Sequence, residues 1–329
     1  MKKIYQQHSF YLFLVLLVLS IAIGLKNPVF FSLSNFYDIL KSSVVMGLFA
    51  IGVLIVLISA GIDISFTAIA AFSMYVTSKI LVGFNITDSL IFAFLLSGAV
   101  GLLLGLFNAV FISHFKLPTL IVTLGTASVF RGFMLAFIGT AIINNLPESL
   151  VHFSKLVFFE ETLPAGEKIG LSFSIIILLL FVILSWFLLR YTMLGRGIFA
   201  LGGDRLAARR AGFNLNVIQY FIYGYAGFLS GIAGIIHVSM MRNANPFDLV
   251  GTELVVIAAV VLGGASITGG KGNVAGTLLG VLLLVVINNS LILLNIPSYW
   301  QKVASGLIII AGTAATVKKN IRKQRGQVF

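Results

Sequence analysis

The feature that most constrains this chain is a series of apolar runs, each close to the length that crosses a lipid bilayer. Runs bounded by charge, proline or glycine clusters occupy residues 10–25, 42–58, 64–82, 89–113, 119–142, 171–189, 217–241, 252–268, 273–294 and 299–316. A bilayer-spanning helix needs about 20 predominantly apolar residues. Of the 329 residues, 59% are hydrophobic and 10% charged, against about 25% charged in a soluble domain. No soluble fold of this length keeps so much apolar surface dry. The expected class is an all-α integral membrane protein of about ten helices, with lipid as its main solvent and one transmembrane domain over residues 1–329.

Charge placement gives the expected orientation, because Lys and Arg accumulate on the cytoplasmic side. With the N-terminus inside, fourteen basic residues fall inside and six outside. The inside set includes Lys116, Lys271, five arginines in 190–216 and five basic residues from Lys318 to Arg325. Ten spans also return the C-terminal tail to the cytoplasm. The net charge of +12 is read through this bias; with no aromatic-interleaved basic face, no nucleic-acid partner is expected. The run from Phe10 to Leu25 is expected to be a retained helix. Lys26-Asn27-Pro28 after it is not a small-residue cleavage site.

The chain offers little for catalysis. It has no cysteine, and its four histidines (His8, His114, His152, His237) are scattered. The expectation is no metal and no catalytic residue. Gly269-Gly270-Lys271-Gly272 superficially suggests a phosphate-binding loop. That motif needs Gly, four residues, then Gly-Lys-Ser/Thr. Here Ala265 occupies the first glycine position and Gly272 the Ser/Thr position. The stretch reads as a tight inter-helix turn, so any ATP must bind another subunit.

Two glycine-bearing interruptions, Ser59–Ser65 and Gly263–Gly270, suggest paired helix breaks at Gly61 and at Gly263, Gly264, Gly269 and Gly270. Such pairing hints at an internal repeat over roughly 42–142 and 217–316. Small residues four apart (Gly101/Gly105, Gly227/Gly231, Ser230/Gly234, Gly276/Gly280) read as close helix packing. Asp63 or Ser65, and Thr252 beside Glu253, have a capping role open to them. Lys79 is near enough to a helix end to snorkel.

Arg131 stands out, near the centre of 119–142. A charge there costs about 2.5–3.5 kcal/mol on insertion scales and should face protein or water. Thr123, Thr126 and Ser128 share its helix, and Asn108 precedes it. With Asp63, Ser65, Asn288 and Asn289 these residues form a candidate solute pathway; inter-helix hydrogen bonding is the structural alternative. The acidic loop 143–170 is a candidate outer docking surface or simply a solvated loop.

The segment 190–216 is the most informative polar element. Asp204 is placed to cap a short arginine-rich helix (Arg205, Ala208, Arg209, Arg210) that ends near Gly212. A rigid, glycine-framed basic helix suits docking into a partner better than it suits an ordinary positively charged loop.

At these residues the chain resembles the permease subunits of bacterial simple-sugar ABC importers, the ribose, xylose, arabinose, galactoside and autoinducer-2 group. Ser59–Ser65 resembles that group's G-G-I-D-[LV]-S signature. Leu117–Thr126 with Arg131-Gly132 resembles P-x-F-I-x-T-L-G-T…R-G. Gly202–Gly212 resembles G-G-N-x-x-A-A-R-x-x-G, and Ala258–Gly272 resembles A-A-V-V-L-G-G-x-S-x-x-G-G-x-G. The matches cover most of the chain in order. Ser59 and Ala60 replace the first glycines, Phe66-Thr67-Ala68 replaces V-G-S, and Asp204 replaces the common Asn. The resemblance implies a type II-like importer bundle in the bacterial inner membrane, with both termini cytoplasmic. It implies a second permease subunit, identical or a sister chain, a cytoplasmic two-module ATPase holding ATP and Mg, and an extracytoplasmic sugar-binding protein. Residues 204–212 would be the coupling helix. The rival classes are an ion-coupled secondary sugar transporter, a membrane-embedded enzyme and a passive channel.

Overall fold

The computed structural model describes residues 2–162, 168–297, 299–300, 303 and 306–307. Most of the expected tenth span, 299–316, and the basic tail lie outside the described residues, as does Glu167 in the acidic loop. Among the described residues, eight helices are long and apolar enough to cross a membrane. They are α1 (Lys2–Lys26), α2 (Leu33–Ile58), α3 (Phe66–Gly83), α4 (Leu90–Ala109, prolonged by a π turn to His114), α5 (Thr119–Phe133, prolonged by a π turn to Ile138), α7 (Ser174–Tyr191), α10 (Leu215–Met241) and α12 (Val274–Leu293). Between them lie α6 (Glu148–Lys155), a two-stranded antiparallel hairpin of β1 (Val157–Thr162) and β2 (Lys168–Ser172), α8 (Met193–Gly203), α9 (Arg205–Arg210) and α11 (Glu253–Leu262).

The expected span 252–268 is replaced by something shorter. The 10 residues of α11 rise about 15 Å at 1.5 Å per residue, half of an about 30 Å hydrocarbon core. Gly264, at φ +99°, stops the helix. The irregular segment 242–252, between the expected spans, leads from α10 into α11. The α2 boundary also moves. Ser32 caps the helix by accepting from the Asn35 N–H at 3.2 Å, and the Asn35 amide donates to the Phe30 carbonyl at 2.8 Å. The helix therefore begins nine residues before the expected 42.

Helices α2 and α10 form the buried centre, while α1 lies at the periphery along α12. The α4–α10 contact depends on small residues. A Cβ at Gly101 would lie 2.9 Å from the Gly231 nitrogen, and one at Gly227 would lie 2.8 Å from the Gly105 Cα. Only hydrogen fits between these backbones, which is how helices gain dispersion contact in lipid. Gly276 and Gly280 serve the α11–α12 hairpin in the same way, against the Gly263 and Ala259 carbonyls. The described residues of the acidic loop carry α6 and the hairpin.

Lys79 finds a protein partner. Its ammonium donates to the Ile138 carbonyl at the C-terminus of α5, where the helix dipole favours a cation.

Candidate functional site

Two breaks in helical structure position the candidate site. The chain leaves α2 through Ala60 at φ +63°, a left-handed conformation that costs a non-glycine residue about 1–2 kcal/mol. This accounts for the glycine expected there in the resembling sequences. Residues 61–64 then run without helix up to α3. Hydroxyls of α5 lace this segment in place. Ile62 N–H donates to Thr119 Oγ1 at 3.1 Å, Ile64 N–H donates to Thr123 Oγ1 at 3.3 Å, and Thr123 Oγ1 donates to the Ile62 carbonyl at 3.2 Å. Thr123 is fully buried. These bonds satisfy main-chain groups that a helix would otherwise satisfy internally.

Neither Asp63 nor Ser65 caps α3 through its side chain. Instead Asp63 Oδ1 accepts from both the Ser65 N–H at 2.7 Å and the Ser65 hydroxyl at 2.6 Å, and the Asn108 amide donates to Ser65 Oγ at 2.7 Å. Asp63, Ser65 and Asn108 are buried. Three expected pathway residues thus join, but as a bracket holding the break against α4 and α5. Thr126 is buried and its hydroxyl turns back to the Thr123 carbonyl at 3.4 Å.

The second break delivers Glu253. Thr252 does not cap α11; its hydroxyl donates to the Leu249 carbonyl at 2.8 Å. Glu253 Oε1 accepts from Thr67 Oγ1 at 2.5 Å and lies 3.3 Å from Arg131 Nη2. Thr67 is in the first turn of α3 and Glu253 in the first turn of α11. The N-termini of two broken helices therefore meet at this carboxylate, and both dipoles favour its negative charge. Arg131, from the last turn of α5, completes the cluster. The Arg131 side chain is 30% exposed and that of Glu253 12% exposed, so the cluster opens to the surroundings and is not sealed in the core. Arg131 Nε is buried and makes no hydrogen bond. Glu253 lies one α11 length, about 15 Å, from the Gly263 turn.

Sequence reading singled out Arg131 but missed its partner Glu253 and the Thr67 that bonds to Glu253. Glu253 carried a signal, being an ionisable residue opening the apolar run Leu254–Leu262. Thr67 carried none. Asn288 and Asn289 lie on α12, which packs mainly against α2, α1 and α11, the helix that carries Glu253.

The basic element is built as its spacing implies. Asp204 accepts from the Leu206 and Ala207 N–H groups at 2.8 and 3.0 Å. The C-terminus closes with Phe213 N–H donating to the Ala208 carbonyl and Gly212 N–H donating to the Arg209 carbonyl, with Gly212 at φ +86°. That paired closure satisfies orphan carbonyls and favours glycine. Ala208 faces inward, 3% exposed, while Arg209 and Arg210 are exposed. Arg205 Nη2 donates to Gln219 Oε1 of α10 at 3.4 Å. Beside α9, Lys116, Arg205, Arg209 and Phe213 line a basic groove.

The arrangement is therefore a helical bundle with a polar cluster where two broken helices begin, and a rigid cationic helix beside the bundle. Comparison with known proteins decides its class. Residues 35–312 match the family described as the branched-chain amino acid transport system permease component. The chain belongs to this permease family. The permease is 34% identical over 304 residues to the ribose import permease protein of Haemophilus influenzae, covering 92% of this chain and 91% of that protein. It is 32% identical over 306 residues to the ribose import permease protein of Escherichia coli K12, with 93% and 92% covered. It is also 31% identical over 319 residues to the autoinducer 2 import system permease protein of Yersinia pseudotuberculosis, with 95% and 87% covered. No solved structure matches the permease. The permease is thus a transport component and not an enzyme, and its helices place it as a multi-pass membrane protein.

Proposed function

We propose that this permease imports a simple sugar or sugar-like solute of the ribose or autoinducer-2 kind, driven by ATP that a separate ATPase binds together with Mg. An extracytoplasmic binding protein delivers the solute, and two permease subunits enclose its path. Both termini and α9 face the cytoplasm, in keeping with the basic residues gathered at that end of the bundle. The similarity to ribose and autoinducer-2 import permeases over more than nine-tenths of the chain carries this reading.

The solute path runs past Thr67, Glu253 and Arg131. A carboxylate and a guanidinium are complementary hydrogen-bonding partners for vicinal hydroxyls, and the Phe72–Phe133 ring pair at 6.2 Å provides an adjacent apolar wall. Alternating access moves the two broken helices relative to each other, as an internal repeat over roughly 42–142 and 217–316 would allow. The helix α9 couples this movement to the ATPase through Asp204, Arg205, Ala208, Arg209, Arg210 and Gly212. The Arg209→Glu, Arg210→Glu double variant tests the coupling role. Its expected outcome is loss of ATPase co-purification and of uptake. Normal assembly and normal uptake in that variant would remove α9 from the coupling interface.

A further inference from the structure

We propose that Gly202 is a positioning residue that carries movement of α9 directly into both helix breaks; the proposal rests on the coupling role assigned to α9. Three segments meet at Gly202 with nothing larger than a Cβ between them. A Cβ added there would overlap the Ile58 carbonyl oxygen at the end of α2 and stand 2.8 Å from the Gly270 nitrogen. Gly270 N–H donates to that same Ile58 carbonyl at 2.8 Å. A Cβ at Gly269 would lie 2.6 Å from both Ala60 Cβ and the Gly202 carbonyl oxygen. The end of α8, the 59–65 break and the 263–273 break thus contact one another backbone to backbone.

Such contacts have no rotamers through which a displacement could be absorbed, and close-packed interiors transmit strain. From this junction each break leads to the central cluster. Residues 59–65 rise to Thr67, and 263–273 connects through α11 to Glu253. Asp204, the cap of α9, follows Gly202 by two residues. A shift of α9 therefore reaches both partners of the Thr67–Glu253 bond through the same three-way contact.

The neighbouring glycine supplies the control. Gly202 and Gly203 are both in α8, yet a Cβ at Gly203 meets nothing within 4 Å. Gly202→Ala and Gly203→Ala are compared in proteoliposomes holding the full transporter with its own ATPase and binding protein. The readouts are ATP hydrolysis and entry of whichever radiolabelled monosaccharide the binding protein retains. The expected result for Gly202→Ala is at least a tenfold fall in sugar moved per ATP hydrolysed, with assembly intact and Gly203→Ala unchanged. Equal ratios in the two variants would overturn the proposal, whereas absence of ATP-driven uptake in the unsubstituted transporter would instead overturn the proposed function.

A second measurement does not depend on Gly202→Ala folding. The chain has no cysteine, so spin labels can be placed at Leu206→Cys on α9, Ile267→Cys in the second break and Ile91→Cys on α4, all exposed positions. Between the nucleotide-free and ATP-trapped transporter, the 206–267 distance is expected to stay constant while the 206–91 and 267–91 distances change together. A 206–267 distance that changes on ATP trapping would refute the direct linkage.

Discussion

Replacing Glu253 by Gln tests whether the central cluster holds the broken helices together. The Arg131–Glu253 separation is 3.3 Å, with side chains 30% and 12% exposed. At an effective dielectric of about 20, Coulomb's law gives about 5 kcal/mol for two unit charges at that distance. Desolvation offsets most of this. Exposed pairs are worth about 0–1 kcal/mol, and breaking a fully buried pair costs about 3–5 kcal/mol. The intermediate burial here places the loss between these limits, at about 1–3 kcal/mol. Gln keeps the shape and can still accept from the Thr67 hydroxyl, so the substitution isolates the charge. The assay is reversible unfolding of the single variants Glu253→Gln and Arg131→Gln and of the double variant in mixed micelles. Coupled residues show non-additivity of about 0.5–3 kcal/mol, while independent sites add within about 0.3–0.5 kcal/mol. The double variant is expected to lose at least about 1 kcal/mol less than the sum of the singles. Additive losses would show that the two charges do not interact and that the cluster does not join α5 to α11.

Other substitutions probe separate parts of the structure. Asp204→Ala removes the acceptor for two N–H groups and should destabilise α9 by about 1 kcal/mol, seen as faster hydrogen exchange over 205–210 and weaker ATPase co-purification. Gly227→Ala should force α4 and α10 apart, costing about 1–3 kcal/mol in micelle unfolding, whereas Gly125→Ala, with nothing within 4 Å, should cost nothing. Thr123→Val removes the hydroxyl bonded to both Ile62 and Ile64. It should cost about 1–3 kcal/mol through the unsatisfied main-chain groups and raise protease sensitivity within 59–65.

The parts of the structure legible in the sequence were those written as local patterns. Long apolar runs gave the spans because hydrophobic length is nearly sufficient to define a membrane helix. Asp204 and Gly212 framed α9 because caps lie within a few residues of the groups they satisfy. Arg131 was conspicuous because a charge in an apolar run is costly. Its partner Glu253 was less conspicuous, and the Thr67–Glu253 bond joins residues 186 apart that meet only in the folded bundle. The half-length of α11 follows from features already in the sequence, Glu253 opening the run and Gly263-Gly264 closing it. The hydropathic length of 252–268 overrode them; the stop itself is the left-handed conformation of Gly264. Gly202 and Gly203 are indistinguishable as letters; only the position of the Ile58 carbonyl separates them.

The central claim is that the bundle is one part of an ATP-driven importer. It is tested most directly by uptake into proteoliposomes containing the permease, its ATPase and its binding protein. ATP is enclosed with the ATPase modules, and radiolabelled ribose is included in a panel of monosaccharides. Uptake is expected only with all three components and ATP present, and should be insensitive to proton and sodium ionophores. Uptake by the permease alone, or uptake that an ionophore abolishes, would contradict the account.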